Sequence, residues 1–203
     1  ARPGDVERVR AMGVDRWIAR QLDPASIPDA EADALVSRYP TQRLSLDALL
    51  DEYTPAAFLR RELRRDEAPT REDSVAYREA ARRAQQVGLE LVSHKVARAV
   101  TSERQLQEVM VDFWESHFNV YAAKGPATRH YLVAYTRDAI RPRALGRFRD
   151  LLGAVAKSPA MLTYLDNAQS VADSGRPVLR GPGTGERGPR GRGIARRRTS
   201  PQS

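Results

Sequence analysis

Residues 109–120 read Val-Met-Val-Asp-Phe-Trp-Glu-Ser-His-Phe-Asn-Val. The stretch decides the fold class. Together with Leu106 it sets Val109, Met110, Phe113, His117 and Val120 three or four residues apart, the spacing of one helix face. Alternation with a period of two, which a half-buried strand requires, is absent. The spacing therefore predicts a helix over 103–121 whose apolar stripe faces a core. It also places an imidazole, His117, and three aromatic rings, Phe113, Trp114 and Phe118, on that helix.

Helical spacing continues in both directions. Ser102 and Gln105 stand in capping-box positions at the start of this helix. Before it, Thr70 and Asp73 form a second such box and open a long helix, with Leu91, Val92, Val96 and Val100 expected on its buried side. Residues 55–65 predict another helix, with Phe58, Leu59 and Leu63 inward. Pro3 and Asp15 open two short helices that end near Gly13 and Asp23-Pro24. Pro24, Pro28 and Pro40 divide residues 24–54 into short helical pieces around 30–37 and 45–51. After Lys124-Gly125-Pro126 the pattern predicts a helix over 128–140, stopped or kinked at Arg141-Pro142. A further helix follows over 144–156, with Leu145, Phe148, Leu152 and Val155 inward. Ser158-Pro159 starts the last one. The expectation is an all-α, irregular multi-helix bundle occupying residues 1–171.

Residues 172–203 are of another kind. They hold seven glycines, four prolines and almost no apolar residue. Such a segment buries too little surface to offset its ordering entropy and is expected to be a disordered tail. It also carries most of the charge. The chain of 203 residues has a formal net charge of +8. Eight arginines against Asp173 and Glu186 put +6 on the tail and leave +2 on the body. A near-neutral body makes no case for polyanion binding, whereas Arg196-Arg197-Arg198 suits non-specific contact with nucleic acid or an anionic surface. The arginines of residues 60–83 alternate with acids and read as a solvated helix surface.

Several chemistries find no support. Cysteine is absent, which removes disulfides and thiolate metal sites. His94, His117 and His130 form no local ligand motif, so no metal is expected, and no cofactor is assigned. Gly183-Thr184-Gly185-Glu186-Arg187-Gly188 matches a dinucleotide fingerprint formally, but no strand precedes it. No apolar run is long enough to span a bilayer, and Ala1-Arg2-Pro3-Gly4-Asp5 is not the start of a secretory signal. Two positions remain. His117 reads either as a core histidine held by a neighbouring carbonyl or carboxylate, or as a ligand or general base in a cleft. Asp166-Asn167 ends a helix where the dipole disfavours a carboxylate. It reads as a C-terminal cap with a buried ion pair, to Arg141 or His117, or as part of a site.

Residues 103–110, Asp112-Phe113-Trp114, His117-Phe118-Asn119-Val120, Ile140-Arg141-Pro142, Phe148-Arg149-Asp150-Leu151-Leu152 and Tyr164-Leu165-Asp166-Asn167 together resemble the bacterial domain of unknown function 1800 family. The resemblance covers about residues 1–171. It implies a large, helical, often exported bacterial protein, with no assigned reaction. If that family has a site, the expected cleft is lined by Trp114, His117, Asn119, Arg141, Asp166 and Asn167. His117 would be the base or ligand, Arg141 the anion partner and Asp166 the orienting carboxylate. Glu115-Ser116 departs from the family's aromatic and asparagine. A further helical segment that follows Gln169-Ser170 in the family is missing here. The chain is therefore expected to be the N-terminal part of a longer member, ended by a frameshift or a gene-calling error. The alternatives are a scaffolding module without catalysis, and an anionic-surface or nucleic-acid binder acting through the tail.

Overall fold

The computed structural model describes residues 4–63, 70–167 and 170. The basic tail, with its glycine fingerprint and arginine run, lies outside them. The described residues are helical, with no strand among them. In order the helices are α1 (Asp5–Met12), α2 (Val14–Leu22), α3 (Ala30–Val36), α4 (Leu46–Glu52), α5 (Ala56–Leu63), α6 (Arg71–Thr101), α7 (Gln105–His117), α8 (Thr128–Ala134), α9 (Phe148–Ala156) and α10 (Pro159–Tyr164). The all-α bundle read from the spacing is the observed architecture.

Local chemistry explains the boundaries. Gly13, at φ 87°, takes the left-handed turn between α1 and α2 that a side chain would resist. Thr70 and Asp73 close the predicted box: the Thr70 hydroxyl accepts from the Asp73 amide at 3.1 Å, and the Thr70 amide donates to Asp73 at 2.8 Å. Ser158 caps α10 by accepting from the Met161 amide at 3.2 Å. After α8 the chain widens into a π-helical segment, Tyr135–Ile140, and then tightens into a 3-10 turn, Arg141–Arg143. Pro142 has no amide to continue the ladder. The Arg143 guanidinium instead takes the carbonyls of Asp138, at 2.7 Å, and Ala139, at 3.2 Å.

Two apolar clusters hold the bundle. The larger joins Val111 of α7, Tyr135, Ala139 and Ile140 of the π segment, Leu151 and Val155 of α9 and Ala160 of α10. The smaller joins Leu49 of α4, Val87 of α6 and Val133 of α8. Each fully buried aliphatic side chain contributes about 1.5–3 kcal/mol.

Four sequence expectations are corrected. Ser102 and Gln105 form no capping box. The Ser102 hydroxyl is turned to Asp29 at 2.7 Å, and α7 starts from Arg104 with no side-chain cap. On α6 the buried positions are Val87 and Ala97, with Leu91 and His94 partly covered, while Val92, Val96 and Val100 are exposed. The core packs on the Val87 and Ala97 side of the helix, and Val92 and Val96 instead line an open cleft beside α7. On α9 the inward residues are Leu151 and Val155. Phe148 and Leu152 are exposed, since that helix begins at Phe148 rather than Ala144 and turns its other side inward. On α5, Phe58 is exposed.

Candidate functional site

The corner between α6 and α7 is fixed by polar groups from the N-terminal helices. Asp29, just before α3, is buried. Its two carboxylate oxygens accept from the Ser102 hydroxyl and from the Glu103 amide, each at 2.7 Å. Arg98 adds its charge at 3.7 Å. Gln21 of α2 donates to the Glu103 carbonyl at 2.9 Å and accepts from the Leu106 amide at 3.1 Å. Arg104 reaches back to the Ile27 carbonyl at 3.0 Å. Gln21 thus takes one of the unpaired amides in the first turn of α7, while Asp29 and the Ser102 hydroxyl take the amides of Glu103 and Arg104 just before it.

Held at that corner, α6, α7 and the π segment enclose a cleft of about 570 Å³. Its walls are apolar: Leu91, Val92 and Val96 from α6, Val109 and Val111 from α7, and Leu132 from α8. Its polar groups are tied to one another. Lys95 bridges Asp112, at 2.7 Å, and Glu115, at 2.9 Å. Burial alone would lower the Lys95 pKa, but the two carboxylates overcome it and hold the ammonium charged. Glu115 also accepts a short hydrogen bond from the Thr136 hydroxyl. Arg141 grips Glu108 through both guanidinium nitrogens, at 2.8 and 2.7 Å. This bidentate pairing lets a carboxylate lie buried on the inner side of α7.

His94 stands where this cleft meets a second one of about 390 Å³. His94, Thr136 and Arg141 line both. Asp33, Arg43, Arg98 and Arg137 complete the second. The His94 Nε2 accepts from the Arg98 guanidinium at 3.3 Å, and the edge of the ring meets Tyr39. Burial, reinforced by Arg98 and Arg141, pushes its pKa down to about 4. At neutral pH it is a neutral acceptor. Tyr135, also in the cleft wall, has its phenol pKa pushed up by burial and by Glu115, and its hydroxyl donates a hydrogen bond to the Phe118 carbonyl at 2.8 Å.

The six residues expected to line one cleft fall in three places. Asn119 and Arg141 line the α6–α7 cleft. Trp114 and His117 belong to an aromatic cluster at the end of α7. Trp114 donates to the Ala144 carbonyl at 2.9 Å, and His117 stacks on Phe113 at 5.9 Å and meets Phe118 edge-on at 4.7 Å. His117 is exposed. The core-facing placement expected of it is overturned because α7 turns Glu108, Val111 and Glu115 inward, and His117 lies on the opposite side. Asp166 and Asn167 follow α10, and both are exposed. Asp166 has a positive φ of 56°, a conformation that aspartate tolerates. Its partner is Lys124, at 2.9 Å, and the pair is largely open to solvent. The buried pairing with Arg141 or His117 is thereby corrected: Glu108 occupies Arg141.

His94, Lys95, Glu108, Glu115 and Thr136 were not singled out by sequence reasoning. No local signal marks them, because the stripe read for α7 puts Glu108 on its polar side, and its burial against Arg141 is visible only in the fold.

Among the described residues no group of three or more histidines or carboxylates could hold a metal, and no helix is long and apolar enough to cross a membrane. No curated protein and no solved structure matches the chain. A family model described as protein of unknown function (DUF1800) matches residues 1–175, which is most of the chain, and the chain therefore belongs to that family.

Proposed function

We propose that this helical domain is a docking module, and that its α6–α7 face seats an amphipathic helix of a partner polypeptide. One observation carries the reading. Leu89, Val92, Val96 and Val100 form a stripe along α6 directly opposite its buried side, and all four are exposed, Leu89 by 70% and Val92 by 63%. Their spacing of three, four and four residues is that of a helix-packing seam, and it runs about 16 Å along the axis. Val109 and Phe113 of α7, also exposed, continue it across the cleft. A contiguous apolar surface of this kind marks an interaction site more often than an isolated exposed valine does. The cleft between the two helices would take the largest side chains of the incoming helix. Asp112 at its rim would favour a basic residue beside them.

The polar groups of the cleft suit recognition. His94 is neutral, Lys95 is held by two carboxylates, and Arg141 is held by Glu108. Asn119 and Arg141, among the residues expected from the sequence, belong to this face. Catalytic roles for His117 and Asp166 would need a cleft that brings them together from the aromatic cluster and the end of α10.

The test is a photo-crosslinking residue placed in turn at Val96, Val109 and, as a control on another face, Asp47, which is exposed on α4 where that helix packs by Leu49 on the Val87 side of α6. Crosslinks at Val96 and Val109 to one peptide with apolar residues three and four apart, and none at Asp47, are the expected result. Equal capture at all three positions, or none at Val96 and Val109, overturns the docking reading.

A further inference from the structure

A second surface differs in chemistry from the α6 stripe. At the start of α9, Phe148 and Leu152 lie side by side and are exposed by 52% and 43%, while Leu151 and Val155 hold the other side of the helix in the core. Phe148 is part of the ring cluster at the end of α7, with centroids 5.8 Å from Trp114 and 6.2 Å from Phe118. Phe113, half exposed, packs on Trp114 at 4.8 Å and extends the apolar area. Bordering it is a broad shallow shelf that holds Arg143, Arg147, Arg149 and Lys157 against one acid, Asp150. Arg143 is fastened to backbone carbonyls. Arg147, Arg149 and Lys157 are exposed, and among the described residues no carboxylate lies within ion-pair distance of them.

We infer that this end of the molecule contacts an anionic lipid surface. Exposed phenylalanine and leucine side chains gain by entering an apolar phase, and unpaired cations beside them gain by meeting anions. The interface of an anionic bilayer offers both at adjoining depths. On α9 the two sets adjoin in the same way: Phe148 and Leu152 on one flank, Arg149 and Lys157 on the next. A nucleic acid would supply the anions but needs free ring faces for its bases. Here Phe148 and Phe118 are stacked on one another, as are Trp114 and Phe118, and Phe113 and His117. The α6 residues take no part in it, and of the residues named only Phe113 is shared with the docking face.

Trp114 reports directly on this surface, and Trp17 is the only other tryptophan. In the full chain carrying Trp17→Phe, Trp114 fluorescence is followed on adding phosphatidylcholine vesicles with brominated acyl chains, with and without phosphatidylglycerol. Quenching only when phosphatidylglycerol is present is the expected result. Changing Arg147, Arg149 and Lys157 together to Gln should weaken partitioning about 100-fold, and F148S with L152S should abolish the quenching. Deleting residues 173–203 should leave the quenching in place. Arg147, Phe148, Arg149, Leu152 and Lys157 are exposed and Trp17 is partly buried, and far-UV circular dichroism checks that each variant is folded. No quenching, or quenching that survives both sets of substitutions, overturns the inference. So does quenching lost with the tail alone. A Trp114 response to single-stranded RNA but not to the vesicles would assign the face to nucleic acid and equally overturn it.

Discussion

The two ends of α7 are built on opposite plans. At its N-terminus Asp29, Gln21 and Arg104 form a buried polar knot in which each group has a partner. At its C-terminus Phe113, Trp114, His117, Phe118 and Phe148 form a ring cluster that is open on one side. The first end has almost no latitude. Removing any one group strands the others away from water, where an unpaired polar group costs about 1–3 kcal/mol. The second end tolerates change, since its rings trade one apolar contact for another. Position is thus specified at the corner, and contact surface is offered at the far end.

The largest effect that would break this contrast comes from Asp29→Ala. It leaves the Ser102 hydroxyl and the Glu103 amide without their acceptor and leaves Arg98 only Asp33, at 3.3 Å, and should destabilise the domain by about 4 kcal/mol. Urea unfolding followed by circular dichroism measures it. A loss under about 1 kcal/mol would mean that the knot does not hold the corner.

The next effect concerns His94, whose pKa is lowered to about 4 in the folded state. The unfolded chain then binds a proton below pH about 6.5 that the folded chain refuses until about pH 4. Stability is accordingly full above that window and falls as pH drops through it. Allowing for partial solvent access, the loss is about 2 kcal/mol. His94→Gln should flatten the stability profile between those pH values, and an unchanged slope would assign the acid sensitivity to other groups.

The smallest effect is expected at the ring cluster. His117→Ala removes one exposed ring from its neighbours and should shift stability by no more than about 0.5 kcal/mol. A loss above about 2 kcal/mol would give this end the same rigidity as the corner.

Helical class, most boundaries and the caps at Thr70 and Ser158 were legible in the sequence, because spacing and capping residues act locally, whereas Asp15, expected to cap α2, lies inside its first turn behind Gly13. Burial was not. On α6 the most apolar stripe, Val92, Val96 and Val100, is outside, and the inner side uses Val87, Leu91, His94 and Ala97. A periodicity reading selects the more hydrophobic of two stripes, and on this helix the less hydrophobic one is buried. On α7 the buried residue Glu108 carries a charge, and only Arg141, far along the chain, explains it. The amide of Leu106 in the first turn of α7 is taken by Gln21, which no local motif could reveal. The candidate site was legible in part for the same reason. Arg141 and Asn119, expected in one cleft with Trp114, His117, Asp166 and Asn167, line a cleft without them, while His94, Lys95 and Thr136 become related only when α6, α7 and the π segment meet.

The π segment at Tyr135–Ile140 has a consequence for how this chain aligns with others. A π turn accommodates about one more residue than an α turn over the same length. A sequence lacking that residue would continue as regular α-helix, with everything beyond it rotated by about 100°. Arg141 would then swing off Glu108, leaving a buried carboxylate without its cation. An insertion or deletion in this interval should therefore be accompanied by replacement of the glutamate at position 108, so that gap placement and charge content are read as one character.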